Sequence, residues 1–118
     1  MFKFEKLAVW QKAIEMADTV YSITKSFPAD ERFGLTNQMR RAAVSVSSNI
    51  AEGSSRISET DFARFVEIAT GSLFEVVSEA VVARRQAFLS DVSFAAIYKA
   101  AEDEGRMLSG LRRTLLRD

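Results

Sequence analysis

Clusters of turn-forming residues occur at only three places along this 118-residue chain, and this spacing limits the possible folds more than any other feature of the sequence. The first cluster covers residues 27–30 and holds the only proline, the second covers 52–55, and a weaker one covers 88–91. Four long segments remain, and no repeat or low-complexity run lies between them. A chain of this length can bury a core of its own, so we expect one domain spanning residues 1–118.

Apolar residues recur at steps of three or four in all four segments, which is the spacing of one face of a helix. The pattern predicts helices over about residues 6–26, 37–52, 59–88 and 91–116. Four amphipathic helices with short connections are typical of an all-α fold, an antiparallel up-down-up-down four-helix bundle. In the first helix the predicted core-facing residues are Leu7, Trp10, Ile14, Ala17, Tyr21 and Thr24. In the fourth helix they are Phe94, Ile97, Tyr98, Ala101, Leu108, Leu111 and Leu115.

The ends of the second and fourth helices carry recognisable signals. Thr36 precedes the apolar pattern of the second helix and is its predicted N-cap. Gly53 follows the last turn of that helix, and we expect it to adopt the left-handed conformation that ends a helix. Either Ser90 or Asp91 is the predicted N-cap of the fourth helix.

The start of the third helix is the best-marked boundary in the chain. Ser58 and Asp61 resemble a capping box in which Asp replaces the usual Glu. Ile57 and Phe62 stand at the two positions of a hydrophobic staple. The helix that follows is predicted to be the longest, at about 45 Å.

The chain contains no cysteine and no histidine, and this excludes most enzyme chemistry at neutral pH. A thiol nucleophile, an imidazole base and a disulfide are ruled out, and zinc, non-haem iron and haem sites lose their usual ligands. Glu52, Glu75 and Glu79 are the candidates for a carboxylate-based enzyme, but di-iron bundles need Glu-x-x-His motifs. We therefore expect a protein that is not an enzyme and has no catalytic residue, cofactor or metal.

The second helix has few charges for a helix with a solvated face, since only Arg40 and Arg41 are charged between residues 37 and 51. One of its faces is polar, and two residues of the third helix extend it. This structural polar signature consists of Gln38, Arg41, Ser45, Asn49, Glu52, Ser72 and Glu75. If the two helices form a hairpin, an Arg41–Glu75 ion pair supported by Ser45 and Ser72 is geometrically reasonable, either within one subunit or between two.

Two apolar surfaces are wider than the core of one chain requires. Val44, Ser47 and Ala51 form a stripe of small residues on the second helix. Phe74, Val77 and Val81 extend the apolar arc of the third helix to about 180°, wider than the stripe of roughly 100° that faces a core. These six residues are the predicted oligomer interface, because exposed apolar patches of this extent mark interfaces. The alternative is that they pack against neighbouring helices of the same bundle.

Arginine is concentrated outside the first helix, although sixteen basic residues balance sixteen acidic ones. The candidates for nucleic-acid contact are Arg40, Arg84, Arg85, Arg112 and Arg113. Arginine suits bidentate contact with phosphate, and a ring of subunits would repeat a modest patch around its axis. Each pair taken alone also has an ordinary explanation in capping, ion pairing or solvation.

Several strings of residues resemble one protein family. They are Leu7-Ala8-Val9-Trp10-Gln11-Lys12-Ala13, Phe27-Pro28 with Glu31 and Phe33-Gly34-Leu35, Gln38 with Arg41-Ala42-Ala43-Val44-Ser45, Ser48-Asn49-Ile50-Ala51-Glu52-Gly53, and Gly71-Ser72 with Glu75. In these residues the chain is similar to the 23S rRNA-intervening-sequence proteins. The stretch from Gln38 to Gly53 is the most specific, because a generic bundle does not require its order of polar and small residues.

The resemblance implies a bacterial antiparallel four-helix bundle that assembles as a homopentamer and whose biochemical role is not established. A related group comprises the accessory proteins of diversity-generating retroelements, which are basic pentamers that associate with a reverse transcriptase and nucleic acid. The chain departs from the family at Ser47, where proline is frequent, and at Ala87, where glycine is common. The second departure leaves the junction between the third and fourth helices less sharply specified.

These observations favour a non-enzymatic, homo-oligomeric interaction module, a pentamer by resemblance, whose assembled surface contacts RNA or a nucleic-acid enzyme. The alternative is a self-assembling structural protein without nucleic-acid binding. Its partners would be further copies of itself and RNA or a nucleic-acid enzyme, with no membrane and no small-molecule substrate. We expect a cytoplasmic protein, because the first residues lead into no apolar run long enough for a signal peptide or a membrane helix.

Overall fold

The computed structural model describes residues 1–117, and it contains four α-helices and no strand in that range. They are α1 (Ala8–Thr24), α2 (Leu35–Gly53), α3 (Glu59–Arg85) and α4 (Asp91–Leu116). Short 3₁₀ turns at Lys3–Lys6 and Ala29–Glu31 precede α1 and α2, so α1 begins at Ala8 instead of residue 6. The prediction of an all-helical chain with four helices is confirmed.

The helices lie side by side in a rod of 47 × 21 × 21 Å. Each packs against the helix that follows it in the chain, and α4 also packs against α1. Among the described residues, the diagonal pairs α1–α3 and α2–α4 make no close contact. This cyclic order fixes which side chains can share a surface: α3 has one flank toward α2 and another toward α4.

The core consists of two apolar clusters stacked along the rod. Both clusters contain residues from all four helices. The first includes Val20, Met39, Val76 and Ile97, and the second includes Met16, Ile50, Leu73 and Leu108. A fully buried side chain of this size stabilises the fold by about 1.5–3 kcal/mol. The apolar residues of α2 that recur at steps of three or four are all buried, namely Leu35, Met39, Ala42, Ala43, Val46 and Ile50.

The buried face of α1 agrees only in part with the predicted one, because Ala17 and Thr24 are buried as predicted whereas the other four predicted residues are half-buried or exposed. Its central row is Val9, Ala13, Met16 and Val20, whereas Tyr21 is exposed. Trp10 lies at the edge of the core, where its ring packs 5.0 Å from that of Phe4. Helix α1 has two adjacent apolar rows, and the row with the small residue Ala13 faces the core because it permits the closer approach to the neighbouring helices. The larger side chains flank it, as snorkelling Tyr and Trp residues do.

The predicted N-cap of α2 at Thr36 is wrong. The helix begins at Leu35 with Gly34 as the N-cap residue, so Thr36 lies inside the first turn and is buried. The free backbone N–H groups of this turn find another acceptor, since Leu35 N donates to Oε1 of Glu31 at 3.1 Å. A carboxylate at this position is also favoured by the helix dipole.

Gly53 does not adopt the left-handed conformation predicted for it. It is the last residue of α2, and no glycine in the described chain has a positive φ. Its role is steric, because a Cβ atom there would lie 2.7 Å from Cβ of Phe65 and 2.8 Å from Cδ1 of Phe62. Glycine is therefore required at this point for the close approach of α2 to α3.

The start of α3 is only partly as predicted. Ser58 is the N-cap, and its hydroxyl accepts a hydrogen bond of 3.0 Å from Asp61 N. The predicted hydrophobic staple is wrong, because Ile57 is fully exposed while Phe62 is half-buried. Phe62 packs instead on the core beside Gly53.

The junction between α3 and α4 places Ala87 in the left-handed region, with a φ of 63°. Phe88 N donates to Ala83 O at 2.9 Å and Ala87 N donates to Arg84 O at 3.0 Å, the two bonds of a Schellman motif. Glycine is the usual residue here, and alanine strains the turn. Of the two candidates for the N-cap of α4, Ser90 is the cap, since its Oγ accepts from Ser93 N at 3.1 Å.

Candidate interaction surface

The flank of α3 toward α2 is a polar seam, defined by Ser45, Asn49 and Ser72. The hydroxyls of Ser45 and Ser72 share a hydrogen bond of 2.9 Å between the two helices. Asn49 Nδ2 donates to the backbone oxygen of Ser45 at 2.8 Å and to its Oγ at 3.0 Å. Ser72 is buried, so its hydroxyl depends on this partner. Ser45 and Ser72, which were predicted to support an Arg41–Glu75 pair, thus bond to each other.

Above the seam, a cleft of about 410 Å³ separates α2 and α3, and it is lined by Gln38, Arg41, Glu75 and Glu79 with the two seam serines. Arg41 and Glu75 thus line the same cleft, but no salt bridge joins them within residues 1–117, where both side chains are exposed, so the predicted ion pair is not formed within one subunit. Glu52, the remaining member of the polar signature, lies outside the cleft. It pairs with Arg56 at 3.2 Å, one turn beyond the end of α2.

Glu79 also lines this cleft, although the sequence analysis named it only as a candidate for a carboxylate-based enzyme and not as a member of the polar signature. Its Oε1 atom is buried without a hydrogen-bond partner among the described residues. Burial raises the pKa of the Glu79 carboxyl, and the nearby charge of Glu75 raises it further. The spacing of four residues between the two carboxyls was the available signal, because it places them on the same helix face.

The flank of α3 toward α4 is an apolar groove, defined by Leu73, Phe74, Val77, Tyr98, Ala101 and Gly105. Its volume is about 400 Å³. Phe74 is 68% exposed and Tyr98 is 45% exposed, while Val77 is half-buried. The groove continues along α3 past Thr70 to an ion pair between Glu67 Oε2 and Arg112 Nε at 2.8 Å. Two of the predicted interface residues, Phe74 and Val77, therefore lie in one uncovered groove, and Val81 lies half-buried one turn further along α3.

The small-residue stripe of α2 is less exposed than predicted. Val44 is 40% exposed and Ala51 is half-buried. Ser47 is buried within the chain, where its hydroxyl donates to Val44 O at 2.9 Å, so it offers no free surface. The stripe shares its side of α2 with Arg40, whose Nε donates to Thr24 Oγ1 of α1 at 2.8 Å.

The two predicted interface regions lie on opposite sides of the rod. The Arg40 contact shows that the α2 stripe borders α1, and the apolar groove lies between α3 and α4. Because the helices follow one another around the rod, the α1–α2 side is the one farthest from the α3–α4 side. Two copies can therefore bring these regions into contact only if one copy presents its α1–α2 side and its neighbour presents its α3–α4 side.

The candidate arginines do not form one patch in a single chain. Arg40 lies over the ring of Tyr21 at 4.7 Å, Arg84 lies over the ring of Phe94 at 3.9 Å, and Arg112 pairs with Glu67. Arg85 and Arg113 are exposed. Glu67, the partner of Arg112, is 17 residues from Arg84 along α3, which corresponds to about 26 Å of helix. The arginines thus divide between the two ends of the rod.

Glu104 is a buried charged residue that sequence reasoning missed. It is 0% exposed and lies on the core row of α4 with Ile97, Ala101 and Leu108. The signal was present, because residues 97, 101, 104 and 108 follow steps of four, three and four, and Glu104 fills the one position of the heptad pattern that lacks an apolar side chain.

The described residues contain no group of three or more acidic side chains arranged to hold a metal ion. Within the same range, no helix combines the length and the apolar character needed to cross a membrane.

Comparison with known proteins places this fold in a defined group. A solved structure of a protein of unknown function from the S23 ribosomal protein family of Bacteroides thetaiotaomicron superposes with a TM-score of 0.82. The match covers 89% of this chain and 95% of that one at 20% identity, and it shows a shared fold. No curated protein matches. The family model for the 23S rRNA-intervening sequence protein matches residues 5–110, which is most of the chain. The chain therefore belongs to the 23S rRNA-intervening sequence protein family.

Proposed function

We propose that this protein is a non-enzymatic, homo-oligomeric interaction module, a pentamer, whose assembled surface contacts RNA or a nucleic-acid enzyme. The homo-oligomeric part of this proposal rests on the apolar groove between α3 and α4, which the chain leaves open around the exposed side chain of Phe74. Large apolar side chains grouped in this way mark interaction surfaces. The compartment we propose is the cytoplasm. The absence of cysteine is compatible with this compartment, where structural disulfides are rare.

The proposed subunit is an antiparallel up-down-up-down bundle. Its support comes from residues that face each other across neighbouring helices. Ser45 faces Ser72 and, further along α2, Gly53 faces Phe65, so residue numbers rise in one helix as they fall in the other. Likewise Glu67 faces Arg112, and Gly105 lies beside Leu73. Short connections between all four helices agree with this topology.

The arrangement of the exposed apolar residues favours a ring. A two-fold dimer joins identical patches, whereas a closed ring joins two different patches of each subunit. Here the groove at Phe74 and the stripe at Val44 lie on opposite sides of the rod. We propose that the groove of one subunit receives the α1–α2 side of the next, with the number of subunits set by the angle between the two sides.

In this proposal the assembled oligomer binds nucleic acid, whereas a single chain does not. The net charge of the chain is zero, and its arginines lie at two ends of the rod. A five-fold ring would repeat the exposed Arg85 and Arg113 five times, and phosphate binding responds to such repetition. We also propose a relation to the accessory proteins of diversity-generating retroelements, from which this chain differs by its lack of net positive charge.

The experiment is RNA binding as a function of salt concentration. Binding of labelled single-stranded RNA to the wild type should weaken steeply between low and moderate salt, because bound phosphates release counterions. The double variant Arg85→Gln with Arg113→Gln should bind more weakly and with a shallower salt slope. A matched control, Lys3→Gln with Lys25→Gln, removes the same charge at other exposed positions and should keep most of the wild-type slope.

Either of two results would contradict nucleic-acid contact: no measurable RNA binding, or binding that stays constant between low and moderate salt. Assembly without RNA binding would favour the alternative, a self-assembling structural protein. Equal losses in the double variant and in the control would show that no particular arginine site exists.

A further inference from the structure

The carboxyl group of Glu104 lies in the apolar core without a partner. The side chain is 0% exposed, and neither Oε1 nor Oε2 has a hydrogen-bond partner among the described residues. Its neighbours on the buried row of α4, Ala101 and Leu108, belong to the apolar cluster that Ala13 and Met16 of α1 complete. A carboxylate ion in such a place would be strongly destabilising, so the neutral acid is the form that fits.

The charged groups around this position are concentrated at the seam between α1 and α4. The charge of Lys12 of α1 acts on Glu104, but no salt bridge joins the two among the described residues. Lys12 Nζ lies 3.9 Å from Oδ2 of Asp103, the residue next to Glu104 on α4. Lys99 and Arg106 of α4 also pair with Asp103. From α2 and α3, the side chains of the same core cluster are apolar, namely Val46, Ile50, Val66, Ala69 and Leu73.

We propose that Glu104 is a proton-linked switch: it is the neutral acid while α4 is packed on α1, and its ionisation loosens the α1–α4 seam as Lys12 moves from Asp103 to Glu104. Asp103 can release Lys12 because Lys99 and Arg106 remain as its partners. Lys12 can follow because its side chain is already partly inside the seam, at 35% exposure.

The direction of the pH dependence follows from the two states of the chain. Burial raises the pKa of Glu104 to about 8, and the charge of Lys12 opposes this rise. An unfolded Glu has a pKa of about 4.3, so the folded chain binds one more proton than the unfolded chain between that value and about 8. The Glu104 contribution to stability is therefore full below pH 4 and is lost progressively as the pH rises toward 8. Over this window the folding equilibrium constant falls by up to about tenfold per pH unit.

A direct test is the ¹³C NMR titration of the Glu104 carboxyl carbon in the folded wild-type chain, assigned by its absence in Glu104→Gln. The midpoint should lie near pH 8. A midpoint near 4.5, with the chain still folded and the carboxyl ionised at pH 6, would overturn the proposal. In Lys12→Met the midpoint should move upward, because the opposing cation is gone, and an unchanged midpoint would contradict the role of Lys12.

A second measurement tests the opening of the seam. Urea unfolding of the wild type should give a folding constant that falls as the pH rises from 5 to 8. The folding constant of Glu104→Gln should be nearly independent of pH over that range. Glu102→Gln, at an exposed position of the same helix, should keep the wild-type dependence. Amide hydrogen exchange in α1 and α4 should accelerate above pH 8 in the wild type relative to Glu104→Gln. Equal exchange in both would show that ionisation does not open the seam.

Discussion

The two flanks of α3 differ in how far one chain completes them. Toward α2, the buried Ser72 hydroxyl has its partner in Ser45, and Asn49 completes the group. Toward α4, Phe74 is 68% exposed beside Tyr98, and no part of residues 1–117 covers the groove that holds them. The hydrogen bonds among Ser45, Asn49 and Ser72 are thus complete within one chain, although Oε1 of Glu79 in the cleft above them has no partner among the described residues, whereas the apolar flank is open.

This difference follows from what each kind of side chain requires. A buried hydroxyl must keep its partner within hydrogen-bond distance, so Ser45 and Ser72 fix the relative position of α2 and α3 along the rod. Apolar side chains require only the removal of water, and any complementary surface can provide it. The flank without directional bonds is therefore the one that a second copy can cover, and the following changes test that distinction.

The largest effect is expected from Phe74→Glu, which places a charge in the groove. Burying an unpaired carboxylate between subunits should weaken each contact by about 2 kcal/mol or more, the scale of an interface hot spot. The variant should sediment as a single chain and retain the helical circular dichroism of the wild type. Val92→Glu is the matched control. Val92 of α4 is exposed like Phe74 of α3. It lies outside the groove, on the row of Lys99 and Asp103 that borders α1.

An assembled Phe74→Glu variant would contradict the assignment of the groove as an interface. Dissociation by Val92→Glu as well would place the contact on another side of the rod.

The next largest effect is expected on the flank of α3 toward α2, where Gly53→Ala should destabilise the fold by about 1–3 kcal/mol. The added Cβ would meet Cβ of Phe65, an atom fixed to the α3 backbone, so the helices must separate. Gly71→Ala is the matched control, because a Cβ there meets nothing within 4 Å. It should stabilise α3 by about 1 kcal/mol. Urea unfolding checks both, and equal shifts of the two variants would contradict the steric role of Gly53.

Removal of one seam hydroxyl should have a smaller effect. Ser45→Ala leaves the buried Ser72 hydroxyl without its partner and should destabilise the chain by about 1–2 kcal/mol. The double variant Ser45→Ala with Ser72→Ala should be less destabilised than the sum of the single variants, because no polar group is then left unpaired. Strictly additive losses would show that the two hydroxyls contribute independently.

The smallest effect is expected at the turn between α3 and α4. Ala87→Gly should stabilise the fold by up to about 1 kcal/mol, since glycine adopts a φ of 63° without strain. Thermal unfolding measures this, with Ala95→Gly in the exposed helix interior of α4 as a control that should be destabilised by a similar amount. A destabilised Ala87→Gly variant would mean that the left-handed turn is not formed.

Periodicity and capping signals predict the parts of this fold that depend on local sequence. The core row of α2 and the cap at Ser58 could be read in this way, because each depends on residues a few positions apart. Gly53 could be singled out but its role could not, since the close contact is with α3 and not with its own helix. The burial of Val9, Ala13, Met16 and Val20 on α1 was missed for a similar reason, because two adjacent apolar rows can be distinguished only by the helices that pack on them.

Prediction of the candidate site succeeded where one helix face was sufficient. The polar faces of α2 and α3 that carry Ser45 and Ser72 followed from the helical spacing, although the bond between these two hydroxyls was not predicted. The Arg41–Glu75 pair is not formed within one subunit, where both side chains are long and exposed and solvent competes with such a pair, and a pair between subunits stays a prediction. Glu104 was overlooked because a charged residue is rarely fully buried, although its place in the heptad marks it as a core position.

The most direct test of the central claim is the mass of the wild-type protein in solution. Sedimentation equilibrium at micromolar concentration should give an assembly larger than one chain, and for five chains of 13.2 kDa a mass of about 66 kDa. The groove around Phe74 would then be covered, and the open flank of α3 would be its place of contact. A species of 13.2 kDa alone at that concentration would contradict the account.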